Sequence, residues 1–259
     1  MHSHDGSPDN FQEIIPAKLK EIEARENIPI IHCVESGSRA WGFSSPDSDY
    51  DVCFIYVRPI EYYLRLEKTR DVIEWQLDET LDINGWDLQK AMQLLHNSNP
   101  TLFEWNNSPI VYKTAPEWAE ISKIINHYFR KKAVLYHYLS TAKKNYREYL
   151  KGEQVRLKKC FYVLRPILAC RWILEKQTPP PVLFYACLDK APEPAVTNLL
   201  QLKMETPEMG LGPRIDIIND YLDASIEEVN QLIQTFSNDE RVTWDELNEL
   251  FLKTVGFPN

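Results

Sequence analysis

Apolar positions recur along this chain with two different periods, and the change between them divides it. Residues 11–25 place Ile14, Ile15, Leu19 and Ile22 at three- and four-residue steps with charges between, which predicts an amphipathic helix. The next apolar run, 28–34, is short and predicts a buried strand, with Pro29 at its start, where a missing N–H is tolerated. Gly37-Ser38 breaks that run, a short helical stretch follows at 39–43, and Ser44-Ser45-Pro46-Asp47-Ser48 reads as a loop. A second run, 51–57, is rich in Val, Ile, Phe and Tyr and predicts another strand. Residues 60–66 suit a short helix. Residues 72–76 and 80–83 predict two more strands, joined by a turn at Asp78-Glu79. Asp87 is placed to cap a helix carrying Leu88, Met92 and Leu95, which Asn99-Pro100 ends before a short element at 102–105.

Beyond Pro116 the period is helical throughout. Trp118, Ile121, Ile124, Ile125, Tyr128 and Phe129 keep one face, and 134–150 and 155–174 predict two long helices, the second kinked or interrupted at Pro166. Thr178-Pro179-Pro180-Pro181 is a stiff break. Ser225 and Thr243, each followed three residues later by a glutamate (Glu228, Glu246), have capping-box spacing and predict helix starts. The expected fold class is α+β: a mixed β-sheet domain over 1–112, then a mostly helical domain over 113–259.

Candidate chemistry sits around the second strand. Asp49 and Asp51 are two apart, so in extended chain they share a face. Adjacent carboxylates raise each other's pKa unless a cation lies between them. A divalent ion bound by oxygens, Mg²⁺ with Mn²⁺ as its substitute, fits that demand. Asp82, between Leu81 and Ile83, supplies a third carboxylate if its strand neighbours the first, and is preferred to Asp87, for which helix capping is sufficient. Gly37-Ser38 at the start of a helical stretch offers backbone N–H groups and a hydroxyl to phosphate oxygens. Arg39 is expected to pair with phosphate or with Glu35. Trp41 is a candidate base-stacking platform, although core packing is the commoner use of such a residue.

Gly37-Ser38, Asp49-x-Asp51 and Asp82 together resemble the signature of the DNA polymerase β-type nucleotidyltransferase superfamily. The longer blocks E-S-G-S-R-A-W-G-F-S-S-P-D-S-D-Y-D-V, N-G-W-D-L-Q-K and L-R-P-I-L-A-C-R-W resemble its branch of predicted nucleotidyltransferases associated with RNA ligases, over about residues 30–172. That resemblance implies a mixed-sheet catalytic domain and Mg²⁺ dependence. It also implies transfer of a nucleoside monophosphate from an NTP with loss of pyrophosphate. Asp49, Asp51 and Asp82 would be the catalytic metal ligands. The acceptor stays open among an RNA end, which is favoured, a protein side chain and a small molecule. RNA repair or ligation enzymes are the expected associates. The rival expectation is a catalytically silent NTP- or RNA-binding regulatory module.

Charge adds one feature. The formal net charge is −9, which argues against generic nucleic-acid binding. Yet residues 130–171 hold twelve basic residues against Glu148 and Glu153, a net +10, which leaves −19 in the rest. Such asymmetry suits an anionic ligand. Lys158, Tyr162 and Arg165 are three or four apart and share a helical face. Lys158, Lys159 and Arg165 are expected to reach the triphosphate. Five scattered cysteines without a C-x-x-C pair predict free thiols in a reducing compartment. The polar first ten residues do not read as a signal peptide, and no apolar run is long enough to span a bilayer, so a cytoplasmic location without membrane contact is expected.

Overall fold

The computed structural model describes residues 11–78, 80–205, 210–237 and 240–256. Its sheet is built from β1 (Ile30–Glu35), β2 (Tyr50–Tyr56), β3 (Val72–Asp78), β4 (Leu81–Asp87) and β5 (Val111–Thr114), in the spatial order β3-β4-β2-β1-β5. β2 and β4 run parallel and the other neighbours antiparallel, so the sheet is mixed. The parallel pair arises because the chain returns to β4 through a crossover, the short helix α3 (Ile60–Tyr63) followed by β3. Phe54 stands opposite Gly85 across this pair, and a Cβ there would lie 2.2 Å from the Phe54 ring. The glycine makes room for the ring.

Strand alternation then decides which residues face where. Ile15, Leu19 and Ile22 of α1 (Phe11–Glu26) pack on one face against Val52, Phe54, Tyr56, Leu81 and Ile83. Period two sends Asp51, Cys53 and Ile55 of β2, and Asp82 of β4, to the other face. That face carries the helical part of the chain, where Ile31, Val34 and Ile55 join a core with Leu88, Phe103, Trp118, Val134 and Leu164.

The helices on this side are α4 (Leu88–His96), α5 (Pro100–Asn106), α6 (Pro116–Ile124), α7 (Lys131–Tyr149), α8 (Lys158–Lys176), α9 (Ala195–Glu205), α10 (Asp216–Thr235) and α11 (Asp245–Thr254), with a small two-stranded sheet, β6 (Gln154–Arg156) and β7 (Leu211–Pro213). Asp87 caps α4 as its position predicts, accepting from the Gln89 N–H at 2.8 Å. It also accepts from the Tyr63 hydroxyl at 2.9 Å, and burial pushes its ionisation up to about 6. α8 is buried over most of its surface, as an apolar helix at the centre of a bundle must be.

Three expectations are revised. α8 runs through Pro166 as one element. The proline leaves the Tyr162 carbonyl without its helical donor, and the Asn145 side-chain amide approaches that oxygen at 3.4 Å instead. Ser225 starts no helix: it is buried inside α10, where its hydroxyl accepts from Arg171 Nη2 at 3.0 Å. α11 begins at Asp245 with Trp244 at its N-cap and no side-chain cap, so Thr243 does not perform that role.

Candidate active site

The site begins where β1 runs out. Gly37 turns the chain with φ +58°, and a Cβ on it would lie 1.8 Å from Asp51 Oδ2. Both the left-handed backbone and the close approach to a carboxylate require glycine. The turn is fastened to β2 by the Ser36 N–H, which donates to the Asp51 carbonyl at 2.8 Å. Ser38 follows on α2 (Gly37–Ala40), a single turn whose Ser38 carbonyl accepts from the Phe43 N–H at 3.1 Å.

Asp51 and Asp82 are register partners across the parallel β2–β4 pair. Asp49 precedes Asp51 by two residues and lines the same cavity. Asp49 and Asp82 are exposed and Asp51 is half-buried. Burial, and then the charges of Asp49 and Asp82, raise the Asp51 carboxyl to about 6 against the opposing pull of Arg39. The donors are all carboxylate oxygens, which is the ligand chemistry Mg²⁺ takes. Asp51 is where their negative fields meet. Among the described residues no group of three or more His, Cys, Asp and Glu side chains is drawn together to hold a metal ion. The strand positions and donor type fit such an ion; the side chains are not converged upon one point.

Two neighbours take roles the sequence did not suggest. Glu35, the last residue of β1, is 1% exposed and accepts from the Asp51 N–H at 2.9 Å and the Tyr112 hydroxyl at 2.5 Å. Burial holds its ionisation up at about 7. It braces the backbone of Asp51 from beneath. The one hint in the sequence is a glutamate closing an apolar run two residues before Gly37. Arg39 forms no ion pair with Glu35. It donates through Nε to the Asp49 carbonyl at 3.1 Å and through Nη2 to the Ser48 carbonyl at 2.6 Å, with its guanidinium 3.7 Å from the Tyr50 ring centre. Arg39 therefore clamps the entry to β2.

A cavity of about 560 Å³ opens over Gly37, Ser38, Asp49 and Asp51, with Lys158, Phe161 and Tyr162 of α8 across from them. Lys203 of α9 completes the wall: it is 8% exposed, and its Nζ donates to Ser45 Oγ at 2.6 Å. No motif marks Lys203. Lys159 is not among the lining residues; its ammonium lies over the Tyr149 and Tyr162 rings at 4.5 and 4.2 Å. Arg165 is also absent from this wall. It is buried against Glu104, with Nη1 to Oε1 at 3.0 Å, and lines a neighbouring cavity. A buried guanidinium is held where a carboxylate compensates it, and Glu104 of α5 lies on that side.

The matching family model, described as the RNA repair pathway DNA polymerase beta family, spans residues 11–253. This chain belongs to that family. The resemblance carried by the Gly37-Ser38 turn and the carboxylates is thus confirmed at family level. A curated relative from Bacillus subtilis (strain 168), the uncharacterized protein YcgL, is 43% identical over 244 residues, 92% of this chain and 94% of that protein. A crystal structure of a nucleotidyltransferase-like protein from Exiguobacterium sibiricum 255-15 overlaps 85% of this chain and 75% of its own, with 13% identity and a TM-score of 0.32. No helix among the described residues is long and apolar enough to cross a membrane.

Proposed function

We propose that this protein is a Mg²⁺-dependent nucleotidyltransferase that moves a nucleoside monophosphate from an NTP to an acceptor hydroxyl, an RNA end in the first instance, and releases pyrophosphate. The observation that carries this reading is the register of Asp51 with Asp82, beside Asp49 and beneath a turn at Gly37 that a side chain would strain. Asp49, Asp51 and Asp82 would hold the ion, with Mn²⁺ able to replace it. The ion, when bound, neutralises phosphate charge and activates the attacking oxygen. The Gly37 turn and the Ser38 hydroxyl hold the β- and γ-phosphates. Lys158 and Lys203, on the opposite wall of the same cavity, neutralise the leaving pyrophosphate. The acceptor oxygen forms its bond to the α-phosphorus as the bond to the bridging oxygen breaks, and its proton passes by way of Asp82 to solvent. The family's RNA repair description supports an RNA end as acceptor, and with it RNA repair or ligation enzymes as functional associates.

The test is pyrophosphate release from each NTP with Mg²⁺ and RNA carrying free ends, with label followed into RNA and protein. Asp49→Ala and Asp51→Ala are expected to lower the rate by about a hundredfold or more, as loss of one preorganised charge-stabilising group does elsewhere. Chelation of the metal should abolish it. Tight NTP binding with no labelled product on any RNA or protein acceptor would overturn the reading in favour of a regulatory module.

A further inference from the structure

Several cations of the basic stretch are tied to carboxylates: Lys151 to Asp223, Arg171 to Glu228 and Arg165 to Glu104. Arg156 of β6 and Lys159, in the first turn of α8, form no ion pair among the described residues. Lys159 has aromatic partners instead. Its ammonium lies 4.5 Å from the Tyr149 ring centre and 4.2 Å from that of Tyr162, which is 40% exposed. Burial, and then the charges of Lys158 and Arg156, make Lys159 easier to deprotonate than an ordinary lysine, against the pull of Glu148. Three cations therefore stand within one another's field, with Glu148 opposing them. Like charges held together in this way are relieved when an anion joins them.

The place of the cluster narrows the anion. Lys158 and Tyr162 belong to the wall of the carboxylate cavity, whereas Arg156 and Lys159 lie outside its lining. An anion that meets Arg156 and Lys159 as well as Lys158 runs from the cavity out over its rim. That is the course of a chain carrying phosphates at intervals and entering by its end. Rings interleaved with cations suit single-stranded nucleic acid, because the cations follow the backbone and the rings stack on bases. A duplex asks for a broader positive face than a protein of net charge −9 offers.

We propose that Arg156, Lys159 and Tyr162 form the entry tract for a single-stranded RNA acceptor, holding the phosphates next to its reacting end and stacking a base on Tyr162. Lys158 is the point where this tract meets the cavity. The inference rests on the function proposed above in taking an RNA end as the acceptor. It adds where the strand lies, and it separates Lys159 from the triphosphate.

The experiment is fluorescence anisotropy of a short labelled single-stranded RNA with the intact protein, over a range of salt concentrations and without NTP or metal. Binding is expected, with an affinity that falls as salt rises. Arg156→Gln and Lys159→Gln should each lower the slope of log affinity against log salt by about 0.7, the share of one phosphate contact on a single strand, and weaken binding about fivefold at about 0.1 M salt. Lys143→Gln removes the same charge from the α10 side, where Lys143 meets Asn230 at 2.7 Å, and should change neither. Tyr162→Leu should weaken binding about tenfold, the scale of one lost base stack, and leave the slope as it is. Mg²⁺–tripolyphosphate should bind Lys159→Gln as it binds the unaltered protein. The tract is overturned if RNA does not bind, or if Lys143→Gln loses as much affinity as Lys159→Gln, which would mark diffuse charge. It is also overturned if Lys159→Gln loses tripolyphosphate instead of RNA, or if phosphatidylserine vesicles bind in preference to RNA. Because no NTP is present, the result is independent of turnover. RNA held by these residues without pyrophosphate release would defeat the proposed reaction and leave the tract standing. Pyrophosphate release with RNA binding untouched by Arg156→Gln and Lys159→Gln would do the reverse.

Discussion

Asp51 ionises near pH 6 in the folded protein, against an ordinary value of 3.8, because burial and two neighbouring carboxylates oppose its charge. The folded state therefore holds this proton more tightly than the unfolded chain does. Its contribution to stability is present below about pH 4 and is lost as pH rises through about 6. Asp51→Asn removes the ionisation and is expected to stabilise the fold at pH 8 by about 1–3 kcal/mol, with no gain at pH 3.5, while abolishing the proposed activity. Urea unfolding at the two pH values checks it. Gly37→Ala acts oppositely: a Cβ at φ +58° and 1.8 Å from Asp51 Oδ2 strains the turn. A loss of about 1–3 kcal/mol is expected, read as a lowered denaturation midpoint together with weakened NTP binding. At this scale the spacing of Asp49 and Asp51 was legible, because period two is a property of the chain itself. Glu35 was not, because its partners, the Asp51 N–H and the Tyr112 hydroxyl, come from two other strands.

Elements followed their local signals where capping and periodicity acted alone. Asp87 caps α4 as its residue type predicts, whereas Asn99-Pro100, read only as the end of α4, also opens α5. A matched pair of substitutions isolates the cap: Asp87→Asn keeps an acceptor for the Gln89 N–H, and Asp87→Ala does not. Ala is expected to be less stable than Asn by about 1 kcal/mol in thermal or urea unfolding at pH 7. Signals failed where packing supplied a competing answer. The capping-box spacing at Ser225 was overruled because α10 continues along the α7–α8 surface, burying Ser225 opposite Arg171. Pro166 did not interrupt α8, whose residues around it are buried in the central core. β5 escaped notice because four residues with mostly exposed or half-exposed side chains carry little alternation to read.

Across the whole molecule, charge is redistributed in ways that composition hides. Three residues of the basic stretch face acidic or polar groups of α10: Lys151 meets Asp223, Arg171 meets Glu228 and Lys143 meets Asn230. Lys203, by contrast, crosses from α9 to the loop before β2, at Ser45. That contact ties the C-terminal third to the segment carrying Asp49. Lys203→Met is expected to speed amide exchange at residues 45–49 while leaving β1 and β2 protected, as hydrogen exchange with mass spectrometry would report. Local rules in the sequence were enough for β1 to β4, for helices such as α4, α7 and α8, and for the glycine turn and the pair of carboxylates, since each depends on residues a few positions apart. Tertiary structure alone decided that Asp82 stands beside Asp51, that Glu35 braces it, that Lys203 reaches the cavity and that Arg165 turns to Glu104. Those are contacts between residues 16 to 158 positions apart, and only packing brings such distant parts of a chain together.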